Sequence, residues 1–196
     1  MKFDQPKKTQ DGRYYLKVSN DDESRVLVQL NNVNVANKFS DADQVTLGLD
    51  EINQGKIKPI DDVCVSQAEE SSQEWFGKVL SQATLKSAYT GLGGKDSINV
   101  SKATVKGKVV TNIFDHEKNV MDQGDLGENV ACDVILEFSG IWFMKKTYGP
   151  IWRLAQVKVR SPPKKKQPMY PKNYMFTDED VEDESEQETE DDSDFI

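Results

Sequence analysis

Four aromatic rings and five cations crowd into residues 141–160, Ile-Trp-Phe-Met-Lys-Lys-Thr-Tyr-Gly-Pro-Ile-Trp-Arg-Leu-Ala-Gln-Val-Lys-Val-Arg. Rings stack on unpaired bases, at ~1–3 kcal/mol per base, and flanking cations neutralise phosphates. Trp142, Tyr148 and Trp152 are the candidate stacking rings, and Lys145, Lys146, Arg153 and Lys158 the candidate phosphate contacts. Strand alternation puts Ile151, Arg153, Ala155 and Val157 on one face, and Trp152, Leu154, Gln156 and Lys158 on the other. One of Trp142 and Trp152 is therefore expected in a core, and the pattern leaves open which. An ordinary two-stranded hairpin around a packed aromatic core would use the same residues.

Other chemistry has little to work with. The single histidine, His116, falls in the polar turn Phe-Asp-His-Glu-Lys, and two cysteines with one histidine do not make an ordinary zinc site. Neither a Gly-x-Ser-x-Gly elbow nor a Walker loop occurs. Gly91-Leu92-Gly93-Gly94-Lys95-Asp96 has a phosphate-loop composition, but it follows a helical stretch and does not open one, so it is read as a loop. The expectation is a protein that is not an enzyme and uses no metal or cofactor.

Charge supports a polyanionic ligand. The chain carries 25 Lys+Arg and 34 Asp+Glu, yet twelve of the carboxylates lie in residues 177–196, which hold no cation and end on Phe195-Ile196. The body is thus mildly basic, and from Val100 to Phe176 there are 13 Lys+Arg against 7 Asp+Glu. Lys102, Lys106 and Lys108 would line the same groove as the hairpin if their strand lies beside it. The acidic arm cannot bury enough apolar surface to offset its ordering entropy, so disorder is expected. Two readings of it stand: a solubilising tail, or a nucleic-acid mimic that competes for a basic groove and recruits basic partners.

The elements that would position these groups are mostly strands. Residues 12–18 are β-rich, and residues 24–31 alternate with Val26, Val28 and Leu30 on one face, with Val33 and Val35 either extending that strand or beginning a partner. Val45 to Leu49 reads as a short strand, and turns are expected at Asn53-Gln54-Gly55 and Lys58-Pro59. One helix is expected over Gln67 to Tyr89, capped by Ser66 with Glu69, with Trp75 and Phe76 in the core. Strands resume at Ser101 to Phe114, with Val105, Val109 and Ile113 sharing a face opposite Lys106 and Lys108. Val130 to Phe143 is a long apolar run with a bend at Gly140, and Ile151 to Arg160 returns beside it. This predicts an all-β fold with one helical insertion, an OB-fold-like Greek-key barrel over residues 1–160. A Pro/Lys-rich linker over 161–176 and the acidic tail over 177–196 follow. No run approaches the ~20 apolar residues of a membrane span, and no secretory signal is read at the start. Cys64 and Cys132 are expected reduced, in a protein of the cell interior.

Two segments carry a resemblance. Ser72-Gln73-Glu74-Trp75-Phe76-Gly77-Lys78-Val79-Leu80-Ser81 resembles a helix signature of the single-stranded-DNA-binding proteins of large eukaryotic DNA viruses. Ser139-Gly140-Ile141-Trp142-Phe143, followed by Tyr148 to Val159, resembles their final strand pair. Those proteins are similar to a podophage replication protein with an OB fold and an acidic tail ending in an aromatic residue. Here Asp191, Asp192, Asp194 and Phe195 match that ending, with Ile196 added. The resemblance implies single-stranded DNA binding in viral replication, recombination or repair. It also implies a tail that shields the DNA groove and docks on polymerase or helicase, and it is compatible with a homodimer. Residue chemistry by itself keeps two alternatives: an acidic-tailed chaperone of basic proteins, and a duplex-DNA accessory factor. Pro162-Pro163-Lys164-Lys165-Lys166 resembles a nuclear signal, which leaves nucleus and cytoplasmic viral factory both open.

Overall fold

The computed structural model describes residues 1–9, 12–39 and 43–160. The expected linker and acidic tail, with Asp191, Asp192, Asp194 and Phe195, lie outside the described residues. In chain order the strands are β1 (Lys2–Phe3), β2 (Lys7–Lys8), β3 (Tyr14–Ser19), β4 (Val26–Val35) and β5 (Gln44–Gly48). Three helices follow, α1 (Glu51–Glu70), α2 (Ser72–Phe76) and α3 (Gln82–Ala88). Then come β6 (Ser97–Lys102), β7 (Thr104–Val105), β8 (Lys108–Val109), β9 (Asn112–Phe114), β10 (Val120–Met121), β11 (Val130–Phe143) and β12 (Tyr148–Val159).

Five strands close on themselves. β4 pairs with β5 and β5 with β6, both antiparallel; β6 pairs in parallel with β12, β12 antiparallel with β11, and β11 antiparallel with β4. Closure leaves the ring without a free edge. Numbered within the ring the order is 1-2-3-5-4-1, a Greek-key connectivity consistent with an OB-type barrel. The alternating inward residues fill it: Leu30, Val45, Leu47, Val100, Val134, Leu136, Phe138, Leu154 and Val157 are all buried.

Strand β11 outruns the ring. Its Val130–Phe138 stretch pairs with β4, and Gly140 to Phe143 pairs instead with β3. Gly140 marks the switch: a β-carbon there would overlap the Leu16 carbonyl oxygen of β3, so only glycine lets the two backbones come together. The expected bend at Gly140 is present as a register shift between Phe138 and Gly140. On the far side β3 pairs with both β1 and β2.

The helical insertion differs from expectation. Asn53-Gln54-Gly55 and Lys58-Pro59, expected as turns, lie inside α1, which is capped by Asp50 and not by Ser66; the Asp50 carboxylate accepts from the Asn53 N–H at 2.8 Å. Asn53, Ile57, Ile60, Asp61, Cys64 and Ala68 recur at helical spacing and are buried. That stripe outweighs Gly55 and the interior Pro59, which ordinarily costs ~3 kcal/mol in a helix. Instead of running through to Tyr89, the helix ends at Glu70 and two shorter ones follow. The Ser101–Phe114 strand is also broken. The chain reverses at Lys106 (φ 50°) and Gly107 (φ 76°), so Val105 and Val109 do not share a face.

Asn53 ties α1 to the barrel. Its side chain is buried, donates to the Asn31 carbonyl at 2.8 Å and accepts from the Asn31 N–H at 3.1 Å. Asn53→Ala removes both hydrogen bonds to the Asn31 backbone, which costs about 1–3 kcal/mol in all. Urea denaturation should show a lower midpoint with an unchanged slope; an unchanged midpoint would mean that Asn53 does not anchor the helix.

Candidate nucleic-acid interface

The β11–β12 hairpin turns through Met144–Thr147, closed by the Met144 N–H donating to the Thr147 carbonyl at 2.8 Å. Lys145 and Lys146 are exposed at its tip. Below the tip Phe143 pairs with Tyr148, and Trp142 with Gly149. Trp142 is half-buried, and a β-carbon on residue 149 would come within 2.9 Å of its indole. The glycine therefore lets the ring lie close against β12.

Burial removes the other two expected stacking rings. Tyr148 is 1% exposed, with Tyr89, Phe76 and Phe143 at centroid distances of 5.1, 5.4 and 6.2 Å. Burial also pushes its phenol pKa up. Trp152 is 4% exposed and packs on Phe138 inside the barrel at 5.4 Å. The pattern left the choice between Trp142 and Trp152 open; only Trp142 keeps accessible ring surface. The alternation along β12 also shifts phase. Register slips opposite Ile135 and Leu136, so Leu154 and Val157 both point inward, contrary to the expected separation.

The expected cations scatter. Lys102 is buried, donates to the Phe39 carbonyl and stands 4.4 Å from that ring's centroid, a cation–π contact that holds it away from any phosphate. Lys106 and Lys108 are exposed on the β7–β8 ribbon instead of lining a groove beside the hairpin. Lys158 is exposed near the other end of β12, roughly 30 Å along the strand from Tyr148 at ~3.3 Å per residue. Arg153 is exposed and joins Lys7, Tyr15, Lys17 and Arg25 around a shallow groove of about 440 Å³, which Asp4, Glu23 and Glu137 also line.

What stands beside Trp142 comes from β2 and β3; the sequence predicts residues 1–11 polar and loose and only residues 12–18 β-rich, yet Lys7–Lys8 forms a strand on β3. Lys7 pairs with Tyr15 and Tyr15 with Trp142, so the three form a row across β2, β3 and β11. Lys8, Tyr14 and Phe143 form the next row, on the opposite face. Tyr14 and Tyr15 are 46% and 41% exposed, and the Lys8 ammonium lies 6.0 Å from the Tyr14 ring centroid. The available signal was the aromatic–cation interleaving of Lys7-Lys8 and Arg13-Tyr14-Tyr15-Leu16-Lys17. In OB folds generally the second and third strands form the usual binding face. Here that face is β5–β6, and it presents Gln44, Thr46, Ser97, Asn99 and Ser101, small polar groups without a ring or cation.

The glycine loop after α3 holds an internal anion. Leu92 and Gly93 donate their N–H groups to Asp61 Oδ2 at 3.0 and 2.6 Å, and the Tyr89 hydroxyl donates to Oδ1 at 2.7 Å. A phosphate would have to displace a carboxylate already satisfied there. Cys64 is buried on the same helix, and desolvation pushes its thiol up to about 12, as it does for Cys132. Neither is a thiolate nucleophile near neutrality. Among the described residues no group of three or more His, Cys, Asp and Glu could hold a metal ion.

The chain belongs to a family of unknown function, DUF5871, whose model matches residues 27–178. The match takes in the ring and the helical insertion and begins after β3. Among curated proteins none matches the sequence. In solved structures it is similar to the single-stranded DNA-binding protein from bacteriophage Enc34, with 14% identity, TM-score 0.45, and coverage of 89% of this chain and 97% of that one. The same phage protein in complex with ssDNA gives 13% identity and TM-score 0.44, covering 81% and 96%. No residue correspondence follows from overlaps this loose.

The Asp61 cradle leaves no room at its glycines. A β-carbon at Gly91 would stand 2.7 Å from both Asp61 Oδ2 and the Tyr89 ring. Gly91→Ala should therefore cost about 1–3 kcal/mol. Asp61→Ala, which strands two N–H groups and a hydroxyl, should cost at least as much. Thermal unfolding followed by circular dichroism reads both, and wild-type melting temperatures would show that the cradle is not structural.

Proposed function

We propose that the protein binds single-stranded DNA with little sequence preference, without enzymatic activity. The observation that carries this reading is the row Lys7–Tyr15–Trp142, with Lys17, Lys145 and Lys146 nearby on exposed positions. Exposed rings give stacking to any unpaired base, and adjacent ammonium groups neutralise the phosphates between bases. Paired bases offer no free face to stack on, so duplex DNA is the poorer ligand.

The sequence resemblance in residues 72–81 and 139–159 supports a role in viral DNA replication, recombination or repair. The twelve carboxylates of residues 177–196 support a tail that competes for the cationic surface and recruits a polymerase or helicase. A tethered polyanion acts at high effective concentration, so it suppresses weak binding without a dedicated pocket. The same resemblance is compatible with a homodimer and with action in a viral factory, and the run Pro162-Pro163-Lys164-Lys165-Lys166 keeps the nucleus open as a site of action.

Titration with oligo(dT) at low salt tests the central reading. Tyr15→Ala and Trp142→Ala should each weaken binding about 5- to 150-fold, the equivalent of one lost stack. The logarithm of affinity should fall with the logarithm of salt at a slope of roughly −3 for four phosphate contacts. If the full chain and its 1–176 truncation both ignore oligo(dT) in dilute buffer, the reading fails, and the acidic-tailed chaperone becomes the better one. Removing residues 177–196 should tighten binding at low salt; equal affinities would sink the competitor role of the tail while leaving DNA binding intact.

A further inference from the structure

The groove on the Tyr14 face of the same sheet edge is built differently from the Lys7–Tyr15–Trp142 row. It encloses about 1030 Å³ between the helical insertion and the hairpin tip. One wall carries Trp75, Phe76, Lys78 and Leu80, and the other Arg13, Tyr14, Phe143, Lys145 and Lys146; among the described residues no Asp or Glu lines it. Its volume stands at the top of the ~300–1,000 Å³ that single small molecules fill, and its cations match a chain of phosphates.

Trp75 and Phe76, expected in the core, are each only half-buried. Trp75 meets the Phe143 ring edge-on at 5.8 Å, Phe3 at 5.9 Å and Phe76 at 6.5 Å, so its orientation is held by three rings while part of its surface stays open. The turn after α2 is held too. Buried Ser72 donates its hydroxyl to the Lys78 carbonyl at 3.0 Å and accepts from the Leu80 N–H at 2.8 Å, while Gly77 takes the left-handed φ of 71° that ends the helix. Lys78 is thereby fixed at the rim, exposed.

We propose that this groove is a second stacking site for the same unpaired strand, with Trp75 as its ring and Lys78, Lys145 and Lys146 as phosphate contacts. The inference rests on the single-stranded DNA reading and extends it. Lys145 and Lys146, at the hairpin tip, serve both faces, so a strand stacked on Tyr15 and Trp142 passes over the tip into the groove under α2. The helical insertion then takes part in binding and is not merely a cover for the barrel.

The test uses the full chain. In Trp142→Phe, Trp75 is the one tryptophan left with accessible ring surface, since Trp152 is buried. Oligo(dT) should still quench its fluorescence, and salt should reverse the quench. Trp75→Leu should weaken oligo(dT) binding about 5- to 150-fold. Because Trp75 also packs on Phe3 and Phe143, Lys78→Glu, at an exposed side chain, must independently weaken binding and make its salt dependence shallower, as the loss of one phosphate contact does. Wild-type binding with no quench in Trp142→Phe and an unchanged affinity in Lys78→Glu would overturn the second site and leave the first. A Trp75 response to a synthetic acidic, aromatic-ended peptide but not to oligo(dT) would assign the groove to a protein partner and overturn it too. No binding by wild type would remove the parent reading itself.

Discussion

Everything at the candidate interface depends on a mismatch of length: β11 has 14 residues, and the ring uses only those up to Phe138 on its β4 side. The surplus cannot stand alone, because an unpaired strand edge leaves N–H and carbonyl groups without partners. β3 takes up that edge from Gly140 onward, and β1 and β2 then pair with β3. A close backbone approach that only glycine permits at residue 140 thus brings the first seventeen residues beside the hairpin.

The aromatic residues divide their labour by strand parity. On one face Phe143 and Tyr148 join Phe76, Tyr89 and Trp75 in a connected set of rings that glues the helical insertion to the hairpin. On the other, Trp142 and Tyr15 have few partners and keep open surface. Edge-to-face contacts of this kind add about 0.5–1.5 kcal/mol each beyond burial, so this connected set, only part of it fully buried, anchors the hairpin from which Trp142 projects. Cations follow the same division. Lys145 and Lys146 stay in solvent at the tip, while Lys102, whose strand position points inward, spends its charge on Phe39.

Much of the barrel was readable because burial imposes a period of two. Val26, Leu30 and the residues of β11 and β12 announce strands, and Gly140 announces its bend. The errors have physical sources. Gly55 and Pro59 are local breakers, but Ile57, Ile60, Cys64 and Ala68 bury one face of α1, and packing outweighs propensity. The reversal at Lys106–Gly107 has no strong local signal beyond one glycine, so a broken stretch looked continuous. Tyr148 is buried against the expectation of a stacking ring, and the choice between Trp142 and Trp152 is open in the sequence, because composition cannot tell which side of a strand faces a core and the slip in β12 undoes simple alternation.

By itself the sequence determined the inventory: a mildly basic body with an acidic end, β-rich segments around a helical middle, and rings interleaved with cations in 7–17 and 141–160. Charge and local periodicity are properties of neighbours along the chain, so they survive without a fold. Only the tertiary structure decided that Tyr15 stands beside Trp142, that Tyr148 and Lys102 are consumed inside, and that Trp75 opens on a cationic groove. Those facts depend on register and on which of two faces meets the core, and both are fixed by contacts between residues distant in the sequence, such as Tyr15 with Trp142 and Lys102 with Phe39.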